Sequence, residues 1–173
     1  MTTLPCPPLD NFTVLSGFIT PGSDTSPPHA VDASITMDVR DPTESNQRIR
    51  VVATADPWDL EVDWCVCGSV ASMLSGCWYV QVFIDDIDGV GPTSGLIGSA
   101  HVDLADGTLS TEAEEDTTCF EYRFTFPAGS VQAGVYRLVV VITCASGSCE
   151  RPGSLLRDWC GYAEVPVLVF YQA

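Results

Sequence analysis

The stretch Trp78-Tyr-Val-Gln-Val-Phe-Ile84 decides the fold, because bulky apolar side chains recur in it at every second position. Successive side chains of a β-strand point to opposite faces, so this period predicts a strand with one face in a core. The inward set is Trp78, Val80, Val82 and Ile84. The outward set is Tyr79, Gln81 and Phe83, which places two aromatic rings on a face expected to meet water.

The same period of two recurs in seven other segments of the chain. They are residues 31 to 39, 49 to 53, 60 to 66, 98 to 104, 120 to 126, 134 to 144 and 163 to 171. Clusters of Gly and Pro between segments supply turns, and the only helix candidate is the short stretch 69 to 74. Eight or nine short strands separated by turns predict an all-β, antiparallel sandwich.

Residues 1 to 30 differ from the rest of the chain because they hold six of its twelve prolines. We therefore predict an extended N-terminal arm over 1 to 30 and a β-sandwich domain over 31 to 173. The arm also carries Phe12, Leu15 and Phe18, which are too apolar to leave in water. It is therefore expected to lie, strand-like, against another surface.

From about residue 57 to the C-terminus, the order of features resembles an immunoglobulin-like or fibronectin-type sandwich. The strand of Trp78 is similar to the third strand of that fold, in which a Trp packs at the centre of the core. The segment 127 to 138 resembles the approach to the penultimate strand, and the resemblance implies that the Tyr136 hydroxyl bonds back to the preceding corner. Leu138 stands where antibody domains have a cysteine, so their inter-sheet disulfide is absent. The resemblance implies an architecture and no function.

In that topology three strands share one sheet, and their outward residues form a continuous apolar patch. With the arm, the expected interface residues are Phe12, Leu15, Phe18, Tyr79, Phe83, Val139, Val141, Leu168 and Phe170. Monomers rarely leave such a patch uncovered. The cover is either intramolecular, from the arm or the strands before residue 55, or another subunit. An arm exchanged between subunits would satisfy both readings.

Eight cysteines, an even number, favour disulfides in an oxidising compartment over a metal site. All eight are candidates: Cys6, Cys65, Cys67, Cys77, Cys119, Cys144, Cys149 and Cys160. Cys65 and Cys67 are two apart on one strand, so they should bond to separate partners, with Cys77 a candidate for one. Cys144 and Cys149 flank a short loop that a bond would close. A bond from Cys6 would pin the arm.

The charge is lopsided, since 23 acidic residues face seven basic ones and the net charge is −16. Such a surface repels phosphate backbones and anionic lipid, which argues against nucleic-acid binding. No stretch approaches the roughly 18 consecutive apolar residues of a membrane span, so membrane insertion is not expected. The visible N-terminus lacks a secretory signal pattern. The cysteines nevertheless favour an extracellular location or a place on a released particle.

Candidate chemistry is sparse. Asp85, Asp86 and Asp88 resemble the start of a calcium loop but lack its downstream Glu, so calcium is a minor alternative to a solvated turn and no other cofactor is expected. His101 stands between Ser99 and Asp103 on one strand, but residues two apart lie about 7 Å from each other, too far for direct proton transfer. We therefore predict that the chain is not an enzyme.

Two functions remain open at this level. The first is a structural protein, a disulfide-reinforced subunit of an extracellular filament, coat or particle. It would dock through the apolar face and the arm onto itself or a scaffold, as a homo-oligomer. The alternative is a secreted module that binds a protein or glycan through the loops 85 to 94 and 146 to 159. A metal site built from Cys65, Cys67 and Cys77 is the weakest reading.

Overall fold

A computed structural model of the protein describes residues 17–19, 32–42, 47–67, 76–89, 94–109 and 117–172. These residues contain two β-sheets and one short 3-10 turn, Leu104–Asp106. The strands are β1 (Gly17–Ile19), β2 (Asp32–Asp41), β3 (Gln47–Arg48), β4 (Val51–Ala53), β5 (Trp58–Cys67), β6 (Cys77–Asp86), β7 (Gly95–Asp103), β8 (Thr108–Leu109), β9 (Thr117–Phe126), β10 (Gly134–Ser148) and β11 (Arg151–Tyr171). The helix candidate 69 to 74 lies outside the described residues.

The two sheets pack face to face as a sandwich. The first sheet has the order β1-β11-β10-β6-β7, and β4 pairs in parallel with the end of β11. The second sheet has the order β3-β2-β5-β9-β8. Apart from the β4 contact, neighbouring strands run antiparallel. The predicted all-β, antiparallel sandwich is thus confirmed, with β6, β10 and β11 in one sheet as expected.

Aromatic rings fill the core between the sheets. Trp78 is fully buried and meets the ring of Phe120 edge-on, with 5.8 Å between the ring centroids. The ring of Trp64 stacks against the ring of Phe120, with 5.4 Å between the ring centroids. Such offset and edge-on contacts add about 0.5 to 1.5 kcal/mol per pair to the burial of the rings. The central position predicted for Trp78 is confirmed.

Tyr136 is fully buried at the start of β10 and packs edge-on against Phe170, with ring centroids 5.7 Å apart. Its ring also lies against Gly134, where an added Cβ would come within 3.0 Å of it. The preceding segment is therefore fitted closely to this side chain. A bond from the hydroxyl to the preceding corner stays a prediction. Leu138, two residues on, is fully buried in the core.

Two expectations about the C-terminal third are wrong. Leu168 and Phe170 were expected on the outer face but are buried in the core. The register shifts between Tyr136↔Leu168 and Leu138↔Val165, so β11 holds one more residue than β10 there. An extra residue in a strand reverses which side chains face inward beyond it. The expected loop 146 to 159 is instead a hairpin, in which Ser148 pairs with Arg151 across a two-residue turn.

Candidate interaction face

The outer face of the first sheet brings together the four predicted residues of β6 and β10. Val139 lies directly opposite Phe83, and Val141 lies opposite Gln81. Tyr79 follows two positions further along the same face of β6, as the alternation predicts. All five side chains are half-buried. The expected neighbourhood of Tyr79, Phe83, Val139 and Val141 is therefore present.

Large exposed hydrophobic side chains are concentrated in this sheet. Six occur among the described residues: Val51, Ile87, Leu96, Tyr162, Val167 and Tyr171. All but Ile87 belong to strands of the first sheet. Leu96 lies opposite Phe83, and Tyr162 lies opposite Val141, so both widen the same apolar rows. These residues were not among the predicted interface residues, although their alternation with buried neighbours is a signal visible in the sequence.

Of the predicted arm residues, Phe12 and Leu15 lie outside the described residues. Phe18 belongs to β1, whose backbone pairs with β11 opposite Gly161. The described part of the arm therefore adds a strand at the edge of the first sheet.

The outer face of the second sheet is charged instead. Asp38, Glu61 and Arg123 form one row across β2, β5 and β9. Arg123 donates to Glu61 at 3.1 Å, and Arg48 lies 2.7 Å from a carboxylate oxygen of Asp38. Arg40 also pairs with Glu61. Sequence periodicity predicted the outward direction of these side chains but not their pairing, which depends on register. The outer face of the first sheet holds a smaller charged cluster, in which Arg137 lies 2.6 Å from Asp85 and 4.0 Å from Glu164, beside its apolar rows.

The surroundings of this charged network shift the pKa values of two carboxyl groups of β5 in opposite directions. Burial opposes ionisation of Glu61, but bonds and charge from Arg123 and Arg40 outweigh it and lower the pKa of Glu61. Asp63 lies in the next row, opposite Glu121. Burial, followed by the charges of Glu61, Glu121 and Asp38, raises the pKa of Asp63 to about 6. The ionised Asp63 is thus disfavoured by the fold.

Asp63→Asn is expected to raise the free energy of unfolding at pH 7 by about 1 kcal/mol, a value reduced for partial solvent screening. The folded-state pKa of about 6 lies above the ordinary 3.8, so the folded protein binds the proton more tightly. The contribution of Asp63 to stability is therefore complete below pH 3.8 and lost as the pH rises through about 6. Urea unfolding of both proteins from pH 4 to pH 7.5 measures the difference.

The control for this prediction is Asp106→Asn, which changes an exposed carboxylate outside the charged network. The stability gain of Asp63→Asn should be close to zero at low pH and grow toward neutrality. A stability gain of Asp63→Asn that does not change with pH, or an equal gain in Asp106→Asn, would contradict the raised pKa of Asp63.

Two disulfides lie within the described residues. Cys65 bonds to Cys119, its direct neighbour across β5 and β9, with 4.0 Å between the Cα atoms. Cys77 at the start of β6 bonds to Cys149 in the turn between β10 and β11. Cys67 is also disulfide-bonded. The prediction of separate partners for Cys65 and Cys67 is confirmed, and the suggested pairing of Cys77 with either is wrong.

Three further cysteine expectations have different outcomes. Cys144 does not bond to Cys149, because it follows the inward alternation of β10 and is a fully buried thiol. Burial raises the pKa of this thiol to about 11, so it is chemically inert at neutral pH. Cys160 lies in β11 opposite Thr143 and Ile19. Cys6 lies outside the described residues, and its role as a tether for the arm stays a prediction.

The residues proposed for metal binding are engaged elsewhere. Asp85 pairs with Arg137 at 2.6 Å, and Asp86 accepts from the backbone N–H groups of Asp88 and Gly89. Asp88 in turn accepts from the N–H of Val135 at 3.1 Å. Within the described part of the chain, no three His, Cys, Asp or Glu residues are grouped to hold a metal ion. The thiolate alternative is wrong, since Cys65, Cys67 and Cys77 are all in disulfides.

The polar residues of β7, which are Ser99, His101 and Asp103, have different surroundings. The Asp103 carboxylate accepts from the N–H of Ala105 and caps the 3-10 turn. The ring of His101 packs edge-on against Tyr79, with centroids 4.3 Å apart. Ser99 is exposed on the same strand. The Asp103 carboxylate and the His101 ring thus contact different neighbours.

The strand order, the central Trp78 and the buried Tyr136 define an immunoglobulin-like β-sandwich, reinforced by disulfides. No protein-family model matches the chain, and no curated protein matches it. No helix among the residues with described structure is long and apolar enough to cross a membrane.

Solved structures with similar folds span several kinds of protein. The CARDB domain of a Pyrococcus furiosus protein, in complex with di-metal ions, is 14% identical over 82% of this chain and 89% of that one, with a TM-score of 0.46. The C-terminal domain of Wzt is 13% identical over 82% and 74% of the two chains, also with a TM-score of 0.46. A β-glucosidase from Listeria innocua is 10% identical over 83% and 17%, with a TM-score of 0.43.

Proposed function

We propose that the chain is a non-catalytic assembly subunit, which docks a second copy of itself onto the outer face of the first sheet. Such a dimer would be the unit of an extracellular filament, coat or particle, whose growth requires a second contact because an isologous interface closes at two copies. One observation carries the proposal: among the residues that the structure describes, five of the six large exposed hydrophobic side chains lie in this sheet, while the opposite sheet shows a charged network. Apolar patches of this kind mark interaction sites.

The charge distribution favours a copy of the chain as the occupant. The rows centred on Val139 and Val141 are apolar or neutral apart from Glu164 at one end. Two such faces can therefore pack isologously without placing like charges at the centre. The net charge of −16 per copy still opposes approach from a distance. Association should accordingly strengthen as salt screens this repulsion.

Val141→Glu is expected to weaken self-association by about tenfold or more, because it buries an unpaired charge in the middle of the interface. Sedimentation velocity over a concentration series, at low and high salt, measures the oligomer. The matched control is Thr125→Glu, which adds the same charge at an exposed position on the outer face of the second sheet. Thermal unfolding checks that both variants remain folded.

The proposal fails if the unmodified protein remains a monomer at high concentration and high salt. It also fails if Thr125→Glu weakens association as much as Val141→Glu. The alternative of recognition through loops loses one of its two candidate segments, because residues 146 to 159 form part of the β10–β11 hairpin.

A further inference from the structure

One edge of the first sheet is formed by β7, which pairs with β6 on one side. Among the described strands, none lies along its other side. A hydrogen bond at the end of the β6–β7 ladder shows which main-chain groups face this open side. The N–H of Leu104 donates to the carbonyl of Gly76 at 3.2 Å, one step beyond the pair Asp103↔Cys77. Leu104 and Gly76 therefore extend the antiparallel ladder by a hydrogen-bonded pair.

The direction of the other main-chain groups of β7 follows from this bond. Hydrogen-bonded and non-hydrogen-bonded pairs alternate along an antiparallel ladder. Val102 and Ala100 lie an even number of positions from Leu104 in unbroken register, so their N–H and C=O groups bond to β6. The N–H and C=O groups of Ser99 and His101 therefore point to the open side of β7.

The contact between His101 and Tyr79 agrees with this assignment. The two residues lie directly opposite each other in the ladder, and their ring centroids are 4.3 Å apart. Side chains stand closer together in non-hydrogen-bonded pairs, whose main-chain groups point away from each other. The main-chain groups of His101 thus face away from β6.

The open side of β7 lacks the features that usually keep exposed strand edges apart. Natural edge strands are short or carry Lys, Pro or bulges. β7 has 9 residues without Lys, Arg or Pro, and its one carboxylate belongs to its last residue, Asp103. The register shift of the β6–β7 ladder lies near Ile97, at the other end. Residues 98 to 102 therefore form a regular edge with no acidic side chain.

We propose that this edge pairs with β7 of a second copy of the chain, antiparallel, about a two-fold axis at Ala100. Ala100 is the middle of the regular stretch, and its own main-chain groups are used by β6. Ser99 of one copy then lies opposite His101 of the other, and both direct their N–H and C=O groups across the new ladder. The two identical edges thus match donors to acceptors as they stand.

The charges of β7 also favour a second copy as the occupant. About an axis at Ala100, the two Asp103 carboxylates lie at opposite ends of the new ladder, each near Ile97 of the other copy. Like charges therefore do not face each other across the strands. Two-fold contacts between identical surfaces are the commonest kind in soluble oligomers.

The edge contact goes beyond the proposed function, because β7 can pair whether or not the outer face of the first sheet docks. The edge and the face are separate surfaces, so each contact can be removed alone. Where both contacts form, the edge supplies the second contact that growth beyond a dimer requires.

Ser99→Pro tests the edge contact, because it removes an N–H that β6 does not use. In a Val141→Glu background, which weakens the face contact, the protein is expected to form dimers through the edge. Adding Ser99→Pro should weaken these dimers by about tenfold or more, measured by sedimentation velocity over a concentration series at high salt. Ser99→Ala is the matched control, since it keeps the N–H and should leave association unchanged. Thermal unfolding checks that every variant remains folded.

Hydrogen exchange supplies a second measurement that needs no substitution in β7. In the Val141→Glu protein, the Ser99 and His101 amides should exchange about tenfold or more slowly at concentrations that favour the dimer than in dilute solution. Exchange at the same fast rate in both conditions would overturn the proposal. Slow exchange already in the dilute monomer would place another segment of the same chain on this edge, which also overturns it.

The two proposed contacts fail separately. Equal association of the Ser99→Pro and Ser99→Ala variants, or a Val141→Glu protein that is monomeric at every concentration, would overturn the edge contact and leave the face contact in place. Association that Val141→Glu does not change but Ser99→Pro weakens would overturn the face contact and support the edge.

Discussion

Gly76→Ala is expected to cost about 3 kcal/mol or more of unfolding free energy. Gly76 precedes β6 with φ of +145°, a conformation that other residues rarely adopt. A Cβ there would collide with the carbonyl oxygen of Ala145 in β10. That oxygen belongs to the backbone of a central strand, so it cannot move aside as a side chain would. Urea unfolding monitored by tryptophan fluorescence measures the loss.

Gly89→Ala is the matched control, because Gly89 also has a positive φ, of +69°, but its added Cβ meets nothing within 4 Å. This variant should lose only the conformational cost of about 1 to 2 kcal/mol. Similar losses in the two variants would show that the close approach to Ala145 contributes little. A failure of Gly76→Ala to accumulate as folded protein agrees with the expected direction, and the folded yield of Gly89→Ala then serves as the reference.

The period of two predicted the inside and outside of β5, β6 and β10, because each of these strands buries one full face. The same rule failed at Leu168 and Phe170, because one additional residue in β11 reverses the alternation. Pro166 was a visible signal for that failure, since proline within a strand marks an edge or a bulge. Alternation alone does not show where a strand such as β11 contains an additional residue.

The residue that a side chain contacts was harder to predict than the sheet face on which it lies. Whether Cys65 meets Cys119 or Cys77 depends on which strands are neighbours and in what register, and neither follows from alternation alone. The same holds for Arg123, whose outward direction was predictable but whose contact with Glu61 was not. The candidate face was predictable because it needed only one additional assumption, that β6, β10 and β11 share a sheet.

Removing either described disulfide by paired Cys→Ala substitution is expected to cost about 2 to 4 kcal/mol of unfolding free energy, mainly through the greater freedom of the unfolded chain. The two bonds close segments of similar sequence separation, 54 for Cys65–Cys119 and 72 for Cys77–Cys149. Their global effects should therefore be alike. Their local effects should differ, because Cys65 and Cys119 sit within a ten-residue ladder between β5 and β9, whereas Cys149 lies in the hairpin turn.

Local opening distinguishes the two bonds by experiment. Without Cys77–Cys149, the tip of the β10–β11 hairpin loses its covalent attachment to β6, so hydrogen exchange near residues 147 to 152 should quicken well before global unfolding. Without Cys65–Cys119, the ladder on both sides still holds β5 against β9, and exchange there should change only with global stability. Equal local protection of the hairpin tip in both double variants would mean that strand pairing alone fixes it. The disulfide would then act only on the unfolded chain.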